Sequence, residues 1–107
     1  MPVRVDNHEK VVTAYLEGEI DHHGAAGIRE LIDRTVEQAM PEQLILDFRD
    51  VTFMDSSGIG LVMGRYRIMK ELGGGIQVIN TSPHITRVMK LAGLERLDVL
   101  SKGGKTK

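Results

Sequence analysis

The chain has 107 residues, 41% of them hydrophobic and 27% charged, and its formal net charge is −1. This length suits one domain, and the interspersed charges leave no broad basic face for a nucleic-acid partner. No apolar run reaches 18 residues, no signal-like segment opens the chain and there is no cysteine, so the sequence predicts a cytoplasmic protein without membrane contact, disulfide or thiolate chemistry.

The first half of the chain carries two strand patterns and then a helix pattern. Apolar residues at period two predict strands over residues 2–6 and 11–17, joined at Asn7-His8. From residue 28 to 39 the apolar residues recur at helical spacing, and Pro41 ends that helix.

The middle of the chain repeats the alternation of strand and helix. The nearly continuous apolar run 43–48 predicts a central strand that is buried on both faces. A helix is predicted over residues 57–72, where Gly73-Gly74-Gly75 stop it, and the next strand over residues 76–80.

The last third predicts one helix and the end of the domain. Ser82 and Pro83 mark the start of a helix that Gly93 closes, and residues 94–100 are predicted as a short edge strand. Residues 101–107 have no apolar side chain and are predicted as a flexible polar tail beyond a domain of residues 1–100. The order of elements predicts an α/β fold, with a mixed sheet of four or five strands and helices mainly on one face.

The segment FMDSSGIG, residues 53–60, stands where a predicted strand gives way to a helix. Either Ser56 or Ser57 could cap that helix by accepting a hydrogen bond from a free backbone N–H. A serine exposed at the positive end of a helix is also a candidate for phosphorylation, because phosphate gains backbone donors there. The added charge would lie beside Asp55 and near Asp21, which we expect on a neighbouring loop, and would weaken the docking of a partner.

Two features of the same helix indicate a protein partner. Gly58 and Gly60 lower helix propensity, which suggests that a bare backbone is needed for the close approach of another protein. A second apolar side, apart from the expected core stripe of Ile59, Val62, Met63, Tyr66 and Met69, is predicted to dock the partner. It consists of Leu61, Ile68 and Leu72, with Gly64 and Arg65 between them. The alternative is that these apolar residues are merely scattered on the surface.

Catalysis is not indicated by any motif. Met54 stands two residues before Ser56, where the nucleophile elbow of a serine hydrolase requires glycine. The adjacent His22 and His23 point apart in a strand or helix, and no other ligands accompany them at metal-binding spacing. Gly73-Gly74-Gly75 follow a helix instead of opening one, so they form a turn and no phosphate cradle. The sequence therefore predicts a protein that is not an enzyme and holds no metal.

The FMDSSGIG segment, followed by Gly64-Arg65-Tyr66, closely resembles the anti-sigma factor antagonist family, the STAS domain. A second block, LEGEIDHH at residues 16–23, is similar to the first loop of the family. Ser82-Pro83 with LAGL at residues 91–94 is similar to its later helix. The resemblance spans about residues 1–100, and the chain departs from the family where relatives usually add a closing helix.

The resemblance implies that Ser56 is phosphorylated and that Ser57 helps to shape the helix start. It implies a partner that is both an anti-sigma factor and an ATP-dependent serine kinase, so ATP belongs to the partner and this chain needs no cofactor. Binding of the unphosphorylated chain would release a sigma factor of sporulation or general stress, and a phosphatase would restore the chain after phosphorylation. The expected partner surface comprises Asp21, Asp55, Ser57, Gly58, Gly60, Leu61, Gly64, Arg65 and Ile68. The alternative is a STAS-type scaffold or ligand-binding module without a phosphoserine switch.

Overall fold

Strands and helices alternate along the chain after an opening pair of strands. The structure, a computed structural model, describes residues 3–100. The strands are β1 (Val3–His8), β2 (Val11–Ile20), β3 (Gln43–Met54) and β4 (Gly75–Ile79). The helices are α1 (His22–Ala39), α2 (Ser56–Glu71) and α3 (Pro83–Leu91), followed by a 3₁₀ helix at Leu94–Leu97. The predicted tail, residues 101–107, lies outside the described residues.

The four strands form one mixed sheet in the order β1-β2-β3-β4. Strand β1 pairs antiparallel with β2, whereas β2 with β3 and β3 with β4 are parallel. The prediction of a mixed sheet is confirmed, but the predicted fifth strand is wrong. The side chains of Leu94 and Val99 both point into the core. These residues are five positions apart, and residues an odd number of positions apart in a regular strand point to opposite faces. Only one bridge, between Val78 and Leu100, joins this segment to the sheet.

The helices cover one face of the sheet, as the sequence predicted. Helix α1 packs on β1 and β2, and α2 packs on β3 and β4. The strand residues that point toward the helices are buried: Val12, Ala14, Leu16, Leu44, Leu46, Ile76 and Val78. The alternate positions, such as Tyr15, Ile45 and Ile79, lie half-buried on the opposite, open face. Among residues 3–100, no helix is long and apolar enough to cross a membrane.

The turn between β1 and β2 lies two residues later than predicted. Glu9 and Lys10 both adopt left-handed backbone angles, with φ of 48° and 70°, and form a two-residue turn of type I′. Such turns are usually built from Asn and Gly, so Glu-Lys gives no signal in the sequence. The sequence predicted the turn at Asn7-His8 because those residues are the only turn-like pair nearby. That prediction was wrong.

Strand β3 is twice as long as the predicted run 43–48. Its inward residues change spacing from two to three, at Phe48, Val51 and Met54, all buried. The pairing with β2 shifts register at two places along this stretch, where β3 contains an extra residue. A β-bulge adds one residue and re-aims the side chains that follow, so the period-two pattern breaks while the strand continues. Strand β3 therefore continues through two bulges to Met54, just before α2 begins.

Helix α1 also begins earlier than its apolar stripe. It starts at His22, six residues before Ile28, where Asp21 caps it, although its first turns contain Gly24 and Gly27. Glycine weakens helix propensity, so tertiary packing and the cap hold these turns. At the other end Met40, with φ of 47°, forms a left-handed cap whose N–H donates to the Val36 carbonyl.

Candidate functional site

The ends of β2 and β3 bring two helix starts together. The carboxyl ends of parallel neighbours lie at the same edge of a sheet, and here Ile20 pairs with Met54, the last residue of each strand. The backbone N–H of Asp55 donates to the Ile20 carbonyl at 3.2 Å. Since α1 begins after Asp21 and α2 after Asp55, the two aspartates occupy adjacent connections. Asp21 therefore lies beside the motif, where the sequence expected it.

Each of these aspartates caps its own helix. Asp21 Oδ1 accepts a 2.8 Å hydrogen bond from the Gly24 N–H, and Asp55 Oδ1 accepts one of the same length from the Ser57 N–H. The prediction that Ser56 or Ser57 caps α2 was wrong, because the residue before them already fills the cap position and aspartate is among the best caps. Ser56 is instead the exposed first residue of α2, and the cap does not depend on its hydroxyl.

The charge around Ser56 acts in two opposing directions. The positive end of the 16-residue helix α2 favours an anion at its first turn. Asp21 and Asp55 already place two carboxylates there, and Glu19 is exposed near the end of β2, two residues before Asp21. A phosphate on Ser56 would add about −1.5 to −2 charge to this acidic edge.

The two glycines of the motif have different surroundings. A Cβ atom at Gly58 would overlap the Cγ and Sδ of Met54, whose side chain is buried, so Gly58 is needed inside the protein. A Cβ at Gly60 or Gly64 meets nothing within 4 Å. For Gly58 the expected reason, close approach of a partner, is therefore wrong, because packing against Met54 requires the glycine. For Gly60 the close approach of a partner stays a prediction.

A groove of about 510 Å³ runs between α1 and α2 next to Ser57. Small residues form much of its wall, namely Ala25, Ala26, Gly60 and Gly64, and His22 and Arg29 stand at its side. Leu61 and Arg65 also line it, and only 3% and 5% of their surfaces are exposed. The groove is open and is bounded by the same helix that Ser56 begins.

The predicted division of α2 into a core face and a partner face is only partly right. Leu61 and Arg65, assigned to the partner face, are buried because α1 packs on that side of α2. Met63, assigned to the core, is 37% exposed. Ile68 is half-buried and Leu72 is exposed, so they stay candidates for contact with a partner. The sequence shows two apolar sides but not which neighbour covers each.

Arg65 joins the two helices through Asp33 of α1. Its Nε and Nη2 lie 2.9 and 3.3 Å from the two carboxylate oxygens, and Nη1 donates to the Leu61 carbonyl at 3.2 Å. The Nε–H does not point at the oxygen, so that contact is an ion pair without a hydrogen bond. Burial lowers the pKa of Arg65 and raises the pKa of Asp33, and each partner's charge offsets only part of this effect. The pair fixes how α1 sits against α2.

One candidate contact residue was missed in the sequence. Phe53 precedes Ser56 by three positions, pairs with Glu19 in the sheet, and leaves 49% of its surface exposed. Its neighbour Met54 points inward, so Phe53 points out beside the motif. An exposed aromatic side chain is enriched at protein interfaces, and this signal was already present in the motif. The sequence did not indicate that Phe53 points outward from a strand, because the strand was predicted to end at Phe48.

These features define a small α/β domain with an exposed serine at a capped helix start. The chain belongs to the STAS domain family, which matches residues 2–103. It is 30% identical over 97 residues to the anti-sigma F factor antagonist of Paenibacillus polymyxa, covering 91% of this chain and 83% of the relative.

Two solved structures of a related protein have the same fold. The anti-sigma factor antagonist SpoIIAA in its unphosphorylated form superposes with a TM-score of 0.84 at 31% identity, over 96% of this chain and 89% of that one. The Bacillus cell fate determinant SpoIIAA in the phosphorylated form gives a TM-score of 0.76 at 31% identity, over 96% and 92%. The described fold is therefore that of a single STAS domain.

Proposed function

We propose that this protein is an anti-sigma factor antagonist that works in the cytoplasm, catalyses no reaction and binds an anti-sigma factor through the surface around Ser56. Relatives that this chain covers over more than four fifths of their length carry that name, and one of them has the same fold, which supports the general role. The observation that carries the proposal is the exposed Ser56 at the start of α2, with its helix capped by Asp55. The serine is accessible, and changing it leaves the cap in place.

The finer proposal is a phosphate switch on Ser56. The partner is a serine kinase that binds ATP itself, and a phosphatase returns the chain to its active form. A kinase must bring the terminal phosphate of ATP against the Ser56 hydroxyl, so the product phosphate faces the phosphates that remain on the nucleotide. Asp21 and Asp55 add two more negative charges on the side of this chain, and repulsion favours release. A solved phosphorylated form of the related SpoIIAA supports this reading.

The partner surface extends from Ser56 in two directions. On one side Phe53 offers an aromatic anchor, and on the other Gly60 and Gly64 open the groove between α1 and α2. Small residues allow a partner's helix or loop to approach the backbone closely. Ile68 lies two turns further along α2 and extends this surface. Leu61 and Arg65 line the base of this surface, where they are almost fully buried, and support it from beneath.

Mass spectrometry tests the switch. The protein is incubated with ATP and the anti-sigma kinase of its own genome, and we expect one phosphate, on Ser56. Ser57→Ala is the matched control, since it keeps the backbone N–H that Asp55 accepts from. Ser57→Ala should accept phosphate and Ser56→Ala should not. Labelling of Ser57, or of neither serine, would overturn the phosphate switch.

Binding measurements separate the switch from the general role. We expect Ser56→Ala to bind the anti-sigma factor and to stay bound when ATP is added. Ser56→Asp should bind about tenfold or more weakly, because it places a fixed charge in the contact. Equal binding by the wild type and Ser56→Asp contradicts the electrostatic mechanism. Absence of both binding and labelling would favour a STAS-type scaffold without a switch.

A further inference from the structure

Strand β1 presents an open edge at the side of the sheet away from β4. Within residues 3–100, β2 is its only neighbour. The two-residue turn at Glu9 and Lys10 is closed by the pair His8 and Val11, which exchange backbone hydrogen bonds. Backbone groups alternate along a strand, so those of Arg4, Asp6 and His8 face β2. The N–H and C=O groups at Val5 and Asn7 face outward and are ready to pair with another strand, whereas Val3 is buried.

Two opposite charges stand on this strand, two residues apart. Arg4 and Asp6 are both exposed and share the open face of the sheet, because alternate residues point the same way. The Arg4 guanidinium lies 4.2 Å from the centre of the Tyr15 ring, which holds its side chain on that face. Charges on an edge strand normally repel other strands. This order of charges, however, complements itself when the strand is reversed.

We propose that two copies of this chain associate edge to edge through antiparallel β1 strands, with the two-fold axis at Val5. In this register Arg4 of each copy faces Asp6 of the other, which gives two ion pairs. They occupy the non-hydrogen-bonded positions, where Cα atoms approach to about 4.5 Å and side chains are closest. Val5 pairs with Val5 of the other copy through its outward backbone groups.

Three other registers place like charges together. A parallel pair in register sets Arg4 against Arg4 and Asp6 against Asp6, and an antiparallel pair centred on either charged residue does so once. Like charges directly opposite destabilise a strand pair, and the register centred on Val5 is the one that sets both Arg4 and Asp6 of each copy against an opposite charge. An interface made by one strand edge is small, and we therefore expect a weak dimer that forms at high protein concentration. The Ser56 surface lies at the ends of β2 and β3, so dimerisation and partner binding are independent proposals.

Disulfide trapping tests the register directly, because the chain has no cysteine of its own. In the proposed dimer Val5→Cys faces itself, at a Cα separation of about 5.5 Å that a disulfide accepts. Asn7→Cys is the matched control and faces Val3 instead. Asn7 is exposed whereas Val5 is half-buried, so random collisions would cross-link Asn7→Cys more readily. Preferential cross-linking of Val5→Cys supports the proposal, and equal or greater cross-linking of Asn7→Cys overturns it.

Charge reversal tests the ion pairs in sedimentation equilibrium. Arg4→Asp and Asp6→Arg each turn two attractions into two repulsions, and each should weaken the dimer by about tenfold or more. The double variant Arg4→Asp/Asp6→Arg restores the complementary order and should restore the dimer. Thermal unfolding of the same variants checks that the fold is intact. A wild type that stays monomeric at every concentration, or a double variant no better than the single ones, refutes the proposed interface.

Discussion

Replacing Gly58 and Gly60 by alanine separates a glycine that the fold needs from one that the partner surface needs. At Gly58 the new methyl group overlaps Met54 at Cγ and Sδ, atoms held in the core and not the free end of the side chain. Overpacking of this kind costs about 3 kcal/mol at the upper end of its usual range. The gain in helix propensity returns about 1 kcal/mol, so the expected net loss is about 2 kcal/mol.

At Gly60 the same substitution has the opposite sign. The new methyl group meets nothing within 4 Å, so only the helix propensity changes and stability rises by about 0.5–1 kcal/mol. One kcal/mol moves the midpoint of thermal unfolding by about 4–8 °C in a small domain. The two variants should therefore differ by more than about 10 °C. If a partner packs in the groove, Gly60→Ala also weakens binding while it stabilises the free protein.

Urea denaturation of the two variants, with the midpoint and slope compared, provides the measurement. A double-mutant cycle tests the cause: Gly58→Ala/Met54→Ala should be less destabilised than the sum of its single variants, because the removed side chain makes room for the methyl group. Equal stability of Gly58→Ala and Gly60→Ala, or strict additivity in the cycle, would refute the packing argument.

Three further outcomes follow from the site. Asp55→Ala should lose about 1 kcal/mol of stability with the cap of α2, whereas Asp55→Asn keeps the cap and should unfold like the wild type in urea. Phe53→Ala should weaken binding to the anti-sigma factor by about tenfold or more and leave the unfolding midpoint nearly unchanged, and a fall in the midpoint without a loss of affinity would contradict its role as an anchor. Burial raises the pKa of Asp33 above its ordinary value of 3.8, so folding favours the protonated acid. The stability gained from this protonation is complete below pH 3.8 and is lost as the pH rises through the pKa of Asp33 in the folded protein. The stability of the wild type relative to Asp33→Asn should therefore fall as the pH rises above 3.8, and a rise would show that Arg65 outweighs burial.

The sequence predicted most elements because their core residues follow one period. Helix α3 is the clearest case, since Ser82 caps it through the Ile85 N–H and Pro83 begins it, as the sequence indicated. Strand β3 is the opposite case, because its bulges change the inward spacing from two residues to three. The segment after Gly93 was mistaken for a strand for a related reason: a short apolar stretch does not reveal whether it pairs or coils.

At the site, the motif located Ser56, and the adjacent connections placed Asp21 beside it. The sequence could not assign the cap, since Asp55, Ser56 and Ser57 all have side chains that suit that position. It also could not assign Leu61 and Arg65, because a helix with two apolar sides does not specify its neighbours. Burial by α1 decides that question, and the ion pair to Asp33 explains why an arginine is tolerated there.

The sequence by itself determined the family, the order of the four strands and three α-helices and the position of the serine, because these depend on local periodicity and on a short motif. Tertiary structure alone decided which aspartate caps which helix, which glycine is packed and which is open, and which side of α2 is covered. Those properties depend on contacts between residues far apart in the chain, such as Asp33 with Arg65, and local sequence does not encode such contacts. The open edge of β1 depends on both sequence and tertiary structure. The sequence places the charges on it, and the order of strands in the sheet leaves it exposed.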